Sequence, residues 1–333
     1  MSLTQTYSAD IDSLLSPAEP GRLSAWAQLG TSVATAGSGY DALVTAGLAG
    51  WNIRKLTQSG TSINANGVTT IKNPDKVMLI YTDPETGEDR YLSTVGKNYG
   101  VHQNEAGAHV IDALVKASRA RGIGYAGSID DGRKTFVTIE LPGIVLVDGA
   151  DAIQLHLVAF NSHDGETAFR VMIVPFRPFC ANQLNIALRD QVSSVTIKHT
   201  SKSAIDPEKI AKELGPLYAY GDAFAADARQ MLRTEMTRRE FDDLIREVWP
   251  VEDDAGPRTL NNARRRNEHL IRLWSSAETQ APIRGTRWAA FQAVTEYLDH
   301  VSPAGSLDIR AKRVLDTKTF AERKQNAYDL LLS

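Results

Sequence analysis

Four groupings of side chains have the types and spacing that chemistry uses. Glu296 and His300 stand four apart in a stretch of helical periodicity. Both would fall on one helix face and could share a metal ion, although the same spacing suits a hydrogen-bonded or ion-paired couple. Asn161-Ser162-His163-Asp164-Gly165 holds a serine, a histidine and an aspartate. Neighbours in a turn cannot reach triad geometry among themselves, so a hairpin turn is expected there. Gly122-Ile123-Gly124-Tyr125-Ala126-Gly127 has the glycine spacing of a dinucleotide fingerprint. That site needs a strand before it and a helix after it; here a helix precedes and a strand follows, which predicts a flexible turn.

The fourth grouping is basic. Lys97, Lys116, Arg119, Arg121, Arg133, Lys134, Arg177, Lys198, His199 and Lys202 flank the expected strands. Lys and Arg along a groove track phosphates, and Tyr99 and Tyr125 could offer stacking faces; the alternative is an ordinary solvated surface. If nucleic acid binds, the candidates are Lys97, Arg119, Arg121, Lys134, Arg177, Lys198 and His199, which lie on or beside the strands and helix of the expected core. The run Arg264-Arg265-Arg266 sits on a helix with its own apolar stripe and reads as a solvated face or an oligomer contact. His156 has apolar neighbours in a strand and reads as a core or sheet-surface histidine.

The elements that must position these residues begin with a meander. Thr135–Glu140, Gln154–Phe160 and Ala168–Val174 are short runs of β-branched and aromatic residues between turn formers, which predicts antiparallel strands. A helix-like segment, Ala181–Leu188, follows them, with Leu184 and Leu188 expected on the sheet. Upstream, Trp51–Leu56, Val77–Tyr81 and Tyr91–Val95 read as strands, and Thr57–Asp75, rich in Ser, Thr, Asn and Gly, as a loop or extended hairpin. A helix is expected from Asn104, a good N-cap, to about Ala120. From Pro207 the pattern turns helical. Thr237-Arg238-Arg239-Glu240 has capping-box form, and Trp288, Phe291, Val294 and Leu298 mark a packing helix.

With 333 residues, one cysteine (Cys180) and a formal net charge of -3, the chain can bury a sizeable core but no intrachain disulfide. Near-balanced charge argues against a non-specific nucleic-acid coat protein and leaves room for a local basic surface. The N-terminus has no secretory pattern and no apolar run reaches the roughly 20 residues a membrane span needs, so no membrane partner and a cytoplasmic location are expected.

Several stretches together resemble a family of phage and plasmid proteins of unknown function. They are Ala46-Gly47-Leu48 with Trp51, Gly96-Lys97-Asn98-Tyr99, Gln103-Asn104-Glu105, Asn161–Gly165, Phe176–Leu184 and Lys198-His199-Thr200, then Gly285-Thr286-Arg287-Trp288 and Ala293–His300. The resemblance covers roughly Tyr40 to His300, with a departure at Asn182-Gln183-Leu184, where the family tends to have Asn-Thr-Leu. It brings no catalytic residues. The phage and plasmid setting implies DNA metabolism, and the order of strands, helix, strands and helix is similar to single-strand annealing recombinases of the Redβ class, an analogy of fold.

Together these readings predict an α+β protein: a flexible N-terminal arm (1–39), an α+β core (40–203) and a helical region packed on it (204–333). The expected function is that of a non-enzymatic, DNA-binding phage or plasmid protein. Its partner would be single-stranded DNA, annealed in DNA recombination by a homo-oligomer without cofactor or metal. The alternative is a structural or interaction protein that modulates a phage or host complex.

Overall fold

A computed structural model describes residues 23–165, 169–177, 181–183, 194–197, 212, 214–316 and 318–333. In chain order, α1 (Ala25–Leu29), β1 (Gly30–Ser32) and α2 (Gly39–Thr45) precede a three-stranded antiparallel sheet of β2 (Arg54–Asn64), β3 (Gly67–Thr82) and β4 (Asp89–Gly96). After α3 (Asn104–Ser118) come β5 (Gly122–Ile129), β6 (Lys134–Val147), β7 (Asp151–Ser162), β8 (Phe169–Arg177), β9 (Asn182–Gln183) and β10 (Ser194–Ile197). The helical half comprises α4 (Leu214–Arg233), α5 (Arg238–Val248), α6 (Pro257–Ser276), α7 (Arg287–Glu296), α8 (Leu307–Asp316) and α9 (Lys318–Leu332). The fold is α+β, with helices concentrated after the sheets.

The larger sheet runs β1-β5-β6-β7-β8-β10, all antiparallel, with β9 added to the end of β8. The meander is as expected, and β8 is an interior strand. Strand alternation sends Leu155, Leu157 and Ala159 of β7 to one face and His156 and Val158 to the other, yet nearly all of β7 is buried. The first face joins the main core with α3 and the helical half. The second is covered by α1, whose Trp26 packs with Phe136, Val158 and Val174. Residues 23–39 therefore correct the expectation of a loose arm: a helix capped by Ser24 and an edge strand seal the sheet. The remainder of the arm lies outside the described residues, as do Leu184 and Leu188.

The glycines of Gly122–Gly127 serve this packing. They form strand β5 rather than a turn. A Cβ at Gly127 would lie 2.7 Å from Gly30 Cα and 2.7 Å from the Leu29 carbonyl oxygen, so β1 approaches as closely as it does only because both positions are glycine. Gly127→Ala is expected to cost about 1–3 kcal/mol through overpacking, measured as a lower urea midpoint. An unchanged midpoint would show that β1 moves away freely.

His156 is the core histidine expected. Its ring lies 5.2 Å from Trp26 and 5.3 Å from Phe176, and neither ring nitrogen has a hydrogen-bond partner. Burial pulls its pKa down from 6.5 to about 3. Between those values the unfolded chain binds a proton that the folded chain refuses. Stability from this residue is complete above about pH 6.5 and falls as pH drops towards 3, by roughly 1.4 kcal/mol per pH unit. His156→Phe should flatten the acid side of the stability curve in urea unfolding run from about pH 7 to pH 4. Identical slopes for the two proteins would contradict the assignment.

The helical half shares its core with the sheet. Every residue of α7 from Trp288 to Glu296 is buried, as expected of a helix apolar on nearly all sides. Phe224 meets Trp288 edge-on, and Tyr328 packs on Phe291. The capping box of α5 is present, with Thr237 N–H donating to Glu240 Oε2 (2.7 Å) and Glu240 N–H to Thr237 Oγ1 (3.3 Å). The helix expected to run on to His300 instead ends at Glu296 and widens into a π turn over Tyr297–Val301, closed by Ser302 N–H donating to the Tyr297 carbonyl.

Candidate nucleic-acid interface

β4 pairs with β3 only from Lys76 to Thr82, whereas β2 and β3 stay paired out to Asn64 and Gly67. Residues 58–75 therefore leave the sheet as a two-stranded ribbon. At about 3.3 Å per residue it projects on the order of 30 Å. The tip is a tight turn in which Asn66 N–H donates to Asn64 Oδ1 and Gly67 takes φ +110°. Both faces are exposed along almost the whole ribbon. Between residues 54 and 76 the chain has four basic residues, Arg54, Lys55, Lys72 and Lys76, and one acid, Asp75, in a protein whose net charge is -3. Most of the remaining side chains are Ser, Thr, Asn and Gln, all able to hydrogen-bond phosphate. Ile63, Val68 and Ile71 stand exposed among them, at 79%, 70% and 61%. Arg54 is clamped by Asp89 at the base, and Lys55 Nζ donates to the Lys97 carbonyl (2.9 Å).

A cleft of about 300 Å³ opens where β4 faces the β5–β6 turn, lined by Tyr91, Ser93, Thr94, Asp130, Arg133, Lys134 and Asp164. Asp130, Asp131 and Gly132 all adopt left-handed φ (+53°, +55°, +85°). Only glycine fits at 132, because a Cβ there would lie 2.9 Å from the Trp51 ring. Arg133 Nε donates to the Leu92 carbonyl (2.9 Å), and Lys134 Nζ lies 3.3 Å from Asp164 Oδ2. Asp164 Oδ1 accepts from Ser162 Oγ at 2.5 Å.

Beneath the cleft, the stretches singled out in the sequence bond to one another. Gln103 holds both the N–H and the carbonyl of Ile53 (2.9 and 2.6 Å), Asn104 Nδ2 donates to the Leu48 carbonyl, and Glu105 accepts from Gly50 N–H. Asn104 is thus not the N-cap of α3 but a buried hub. Its Oδ1 accepts from Asn161 Nδ2 (3.1 Å) and from His163 Nε2 (3.0 Å), which fixes the proton on that ring nitrogen. Tyr99 donates its hydroxyl to the Ser162 carbonyl, and burial, reinforced by Asp164, pushes its pKa up. Asn161–Gly165 therefore ties the two sheets together. Farther on, Asn182 Nδ2 donates to Gln292 Oε1 and Thr295 Oγ1, and Gln183 N–H to Asp299 Oδ2, so Asn182–Gln183 is a strand and not the start of a helix. The motif-like residues form a buried scaffold.

The predicted basic residues separate. Arg177 corrects the sequence reading: it is fully buried, its Nε 2.8 Å from both oxygens of Asp151, with Nη2 donating to the Thr279 carbonyl, and it cannot reach a phosphate. Arg119 is the left-handed C-cap of α3 (φ +54°), and Arg121 N–H donates to the Glu140 carbonyl. Both sit beside the middle of β6, at Glu140, six residues or roughly 20 Å from Lys134. Lys134 is in the cleft, and exposed Lys97, paired with Asp75 at 3.6 Å, is at the foot of the ribbon. Lys198 and His199 lie outside the described residues. Exposed Lys55, Lys72 and Lys76 at the foot of the ribbon are not among the basic residues singled out from the sequence, where their only signal is an acid-poor hairpin.

Glu296 accepts from Thr279 Oγ1 (2.8 Å) and Gln280 Nε2 (2.9 Å). With the π turn beginning directly after it, the regular four-residue stacking over His300 is lost. Among the described residues no group of three or more His, Cys, Asp and Glu is placed to hold a metal ion. Of Arg264–Arg266, the first two are exposed and Arg266 lies over the Trp249 ring at 5.3 Å. Among the described residues no helix is long and apolar enough to cross a membrane.

No curated protein matches the chain, and no solved structure does. The model of a family described as a domain of unknown function, DUF932, matches residues 91–328, well over half of the sequence, and the chain belongs to that family.

Proposed function

We propose that the protein binds single-stranded DNA without sequence preference and without enzymatic chemistry, in the manner of an annealing protein of phage or plasmid recombination. Its contact surface is the projecting ribbon and its foot, with Lys97, rather than the whole set of basic residues on or beside the core strands and helix. The observation that supports this reading is the grouping of exposed Lys55, Lys72 and Lys76 at the foot of a projecting polar ribbon, against one acid, Asp75, in a chain whose net charge is -3. Such a ribbon offers an anionic polymer charge, hydroxyl and amide donors, and access from both sides. Annealing brings two strands together, so the reading includes a homo-oligomer with more than one ribbon.

A titration of fluorescent poly-dT with the intact protein tests it. Affinity should fall steeply between about 50 and 200 mM salt, as counterion release requires, and should exceed that for a duplex of equal length. Absence of binding at the lower salt would reject the reading. The second reading, an interaction protein, draws on the exposed Ile63, Val68 and Ile71. A lone ribbon is marginal in water, and a partner protein seated on these side chains would stabilise it. A protein partner held by apolar contact would show little weakening with salt, which separates the two.

A further inference from the structure

We propose that α6 carries a second phosphate-tracking surface: a stripe of Arg258, Asn262, Arg265, His269 and Arg272 that lies along the backbone of a bound DNA strand. This rests on the single-strand reading above and adds to it a contact remote in sequence from the ribbon. The helix holds five arginines against one acid, Glu268, in a chain whose net charge is -3. Positions 258, 262, 265, 269 and 272 advance by four and three in turn, so the five side chains share one helix face. The three arginines are exposed. At about 1.5 Å of rise per residue they stand about 10 Å apart and together reach about 21 Å. That is the axial length of roughly six phosphates on one strand of a duplex.

A solvated helix face ordinarily mixes both signs of charge and pairs them at four-residue spacing. This stripe does not. Glu268 stands beside it and is turned to Arg264, 3.8 Å away. Among the described residues no carboxylate lies within ion-pair distance of Arg258, Arg265 or Arg272. Arg272 Nη2 donates to His269 Nδ1 (2.8 Å), which holds the guanidinium on the stripe. The nearest acids in sequence, Glu252, Asp253 and Asp254, precede the N-cap Gly256 and stand outside the helix. Arginine presents its donors in a planar fork that matches phosphate oxygens, and Asn262 adds a neutral amide donor.

Packing leaves the stripe accessible. The buried residues of α6 are Leu270, Leu273 and Trp274, all near its C-terminal end, where Trp274 stacks on Phe241 of α5 with ring centroids 4.7 Å apart. From Pro257 to Asn262 every residue is exposed. Arg258 is the second residue of the helix, where a cation opposes the macrodipole; an anion bound beside it reverses that sign. The stripe contains no apolar residue, and exposed Leu260 falls on the opposite side of the helix at about 100° per residue. A protein partner is held through an apolar centre, which this face lacks, whereas a DNA backbone asks only for charge and donors.

The test is titration of poly-dT with the intact protein and with a variant carrying Arg258→Gln, Arg265→Gln and Arg272→Gln together, circular dichroism serving as the folding control. Affinity should fall about tenfold at low salt, and the slope of log affinity against log salt should flatten by about 2, from three contacts at about 0.7 each. Arg265→Gln alone should weaken binding severalfold, and its neighbour Arg264→Gln, off the stripe, hardly at all. Equal losses in those two would overturn the stripe in favour of a diffuse positive field. Unchanged affinity in the triple variant, alongside weakened binding in Lys72→Gln, overturns the stripe and leaves the ribbon reading intact. Unchanged affinity with dissociation of an oligomer in light scattering would make this face a contact between copies and overturn the stripe as well. If the wild-type protein binds no poly-dT, the single-strand reading fails and the stripe with it.

Discussion

Asp151→Ala is expected to destabilise the protein by about 3–5 kcal/mol, the usual cost of leaving one member of a buried ion pair alone. Asp151 accepts from Arg177 Nε with both oxygens and from Trp288 Nε1 at 2.7 Å, and all three side chains are buried. Without the carboxylate, a guanidinium that donates to the Thr279 carbonyl stays in the core stripped of its counter-charge, and the indole loses its acceptor. The bonds join β7 and β8 to α7, so the loss falls on the seam between sheet and helices. Urea unfolding of the variant should show a much lower midpoint, and Arg177→Met, which removes the charge itself, should cost less than Asp151→Ala. A change below about 1 kcal/mol in Asp151→Ala would mean that the pair is not desolvated as the geometry has it.

The second large effect is on binding. Replacing Lys55, Lys72 and Lys76 together with glutamine should weaken poly-dT binding by tenfold or more at low salt. Each phosphate contact on a single strand contributes about 0.7 to the slope of log affinity against log salt, so three lost contacts should flatten it by about 2. Melting temperature should hardly move, because all three side chains are exposed and surface substitutions are commonly neutral within about 0.5 kcal/mol. A weaker affinity with an unchanged salt slope would place the phosphates elsewhere.

Much of the architecture was legible because its signals are local. The meander shows in β-branched runs, α3 and α7 in their apolar spacing, and α5 in its capping box. The failures have particular causes. Asn104 has the right chemistry for an N-cap, but tertiary hydrogen bonds to Leu48, Asn161 and His163 claimed it. Gly122–Gly127 looks like a turn by composition and is a strand because another backbone lies against it. Residues 25–32 were read as loose because the helix and strand are short and gain their stability from the sheet. Arg177 was the avoidable error: strand alternation puts it on the same side as Phe169, Val171 and Ile173, all buried, and parity outranks the general preference of arginine for solvent. The ribbon was half seen as an extended hairpin. With both faces in water it has no apolar alternation to read, and Ser, Thr, Asn and Gly speak for a loop.

The most direct measurement compares the intact protein with a variant in which residues 58–76 are replaced by Asn-Gly, a two-residue turn that joins Thr57 to Val77 across their existing pairing. Poly-dT affinity of both is measured by fluorescence anisotropy at low salt, with melting temperature as the control. Binding weakened by about tenfold or more, at an unchanged melting temperature, is the expected result. A shortened protein that folds and still binds poly-dT with the affinity and salt slope of the intact chain would contradict the ribbon as the DNA-contact surface.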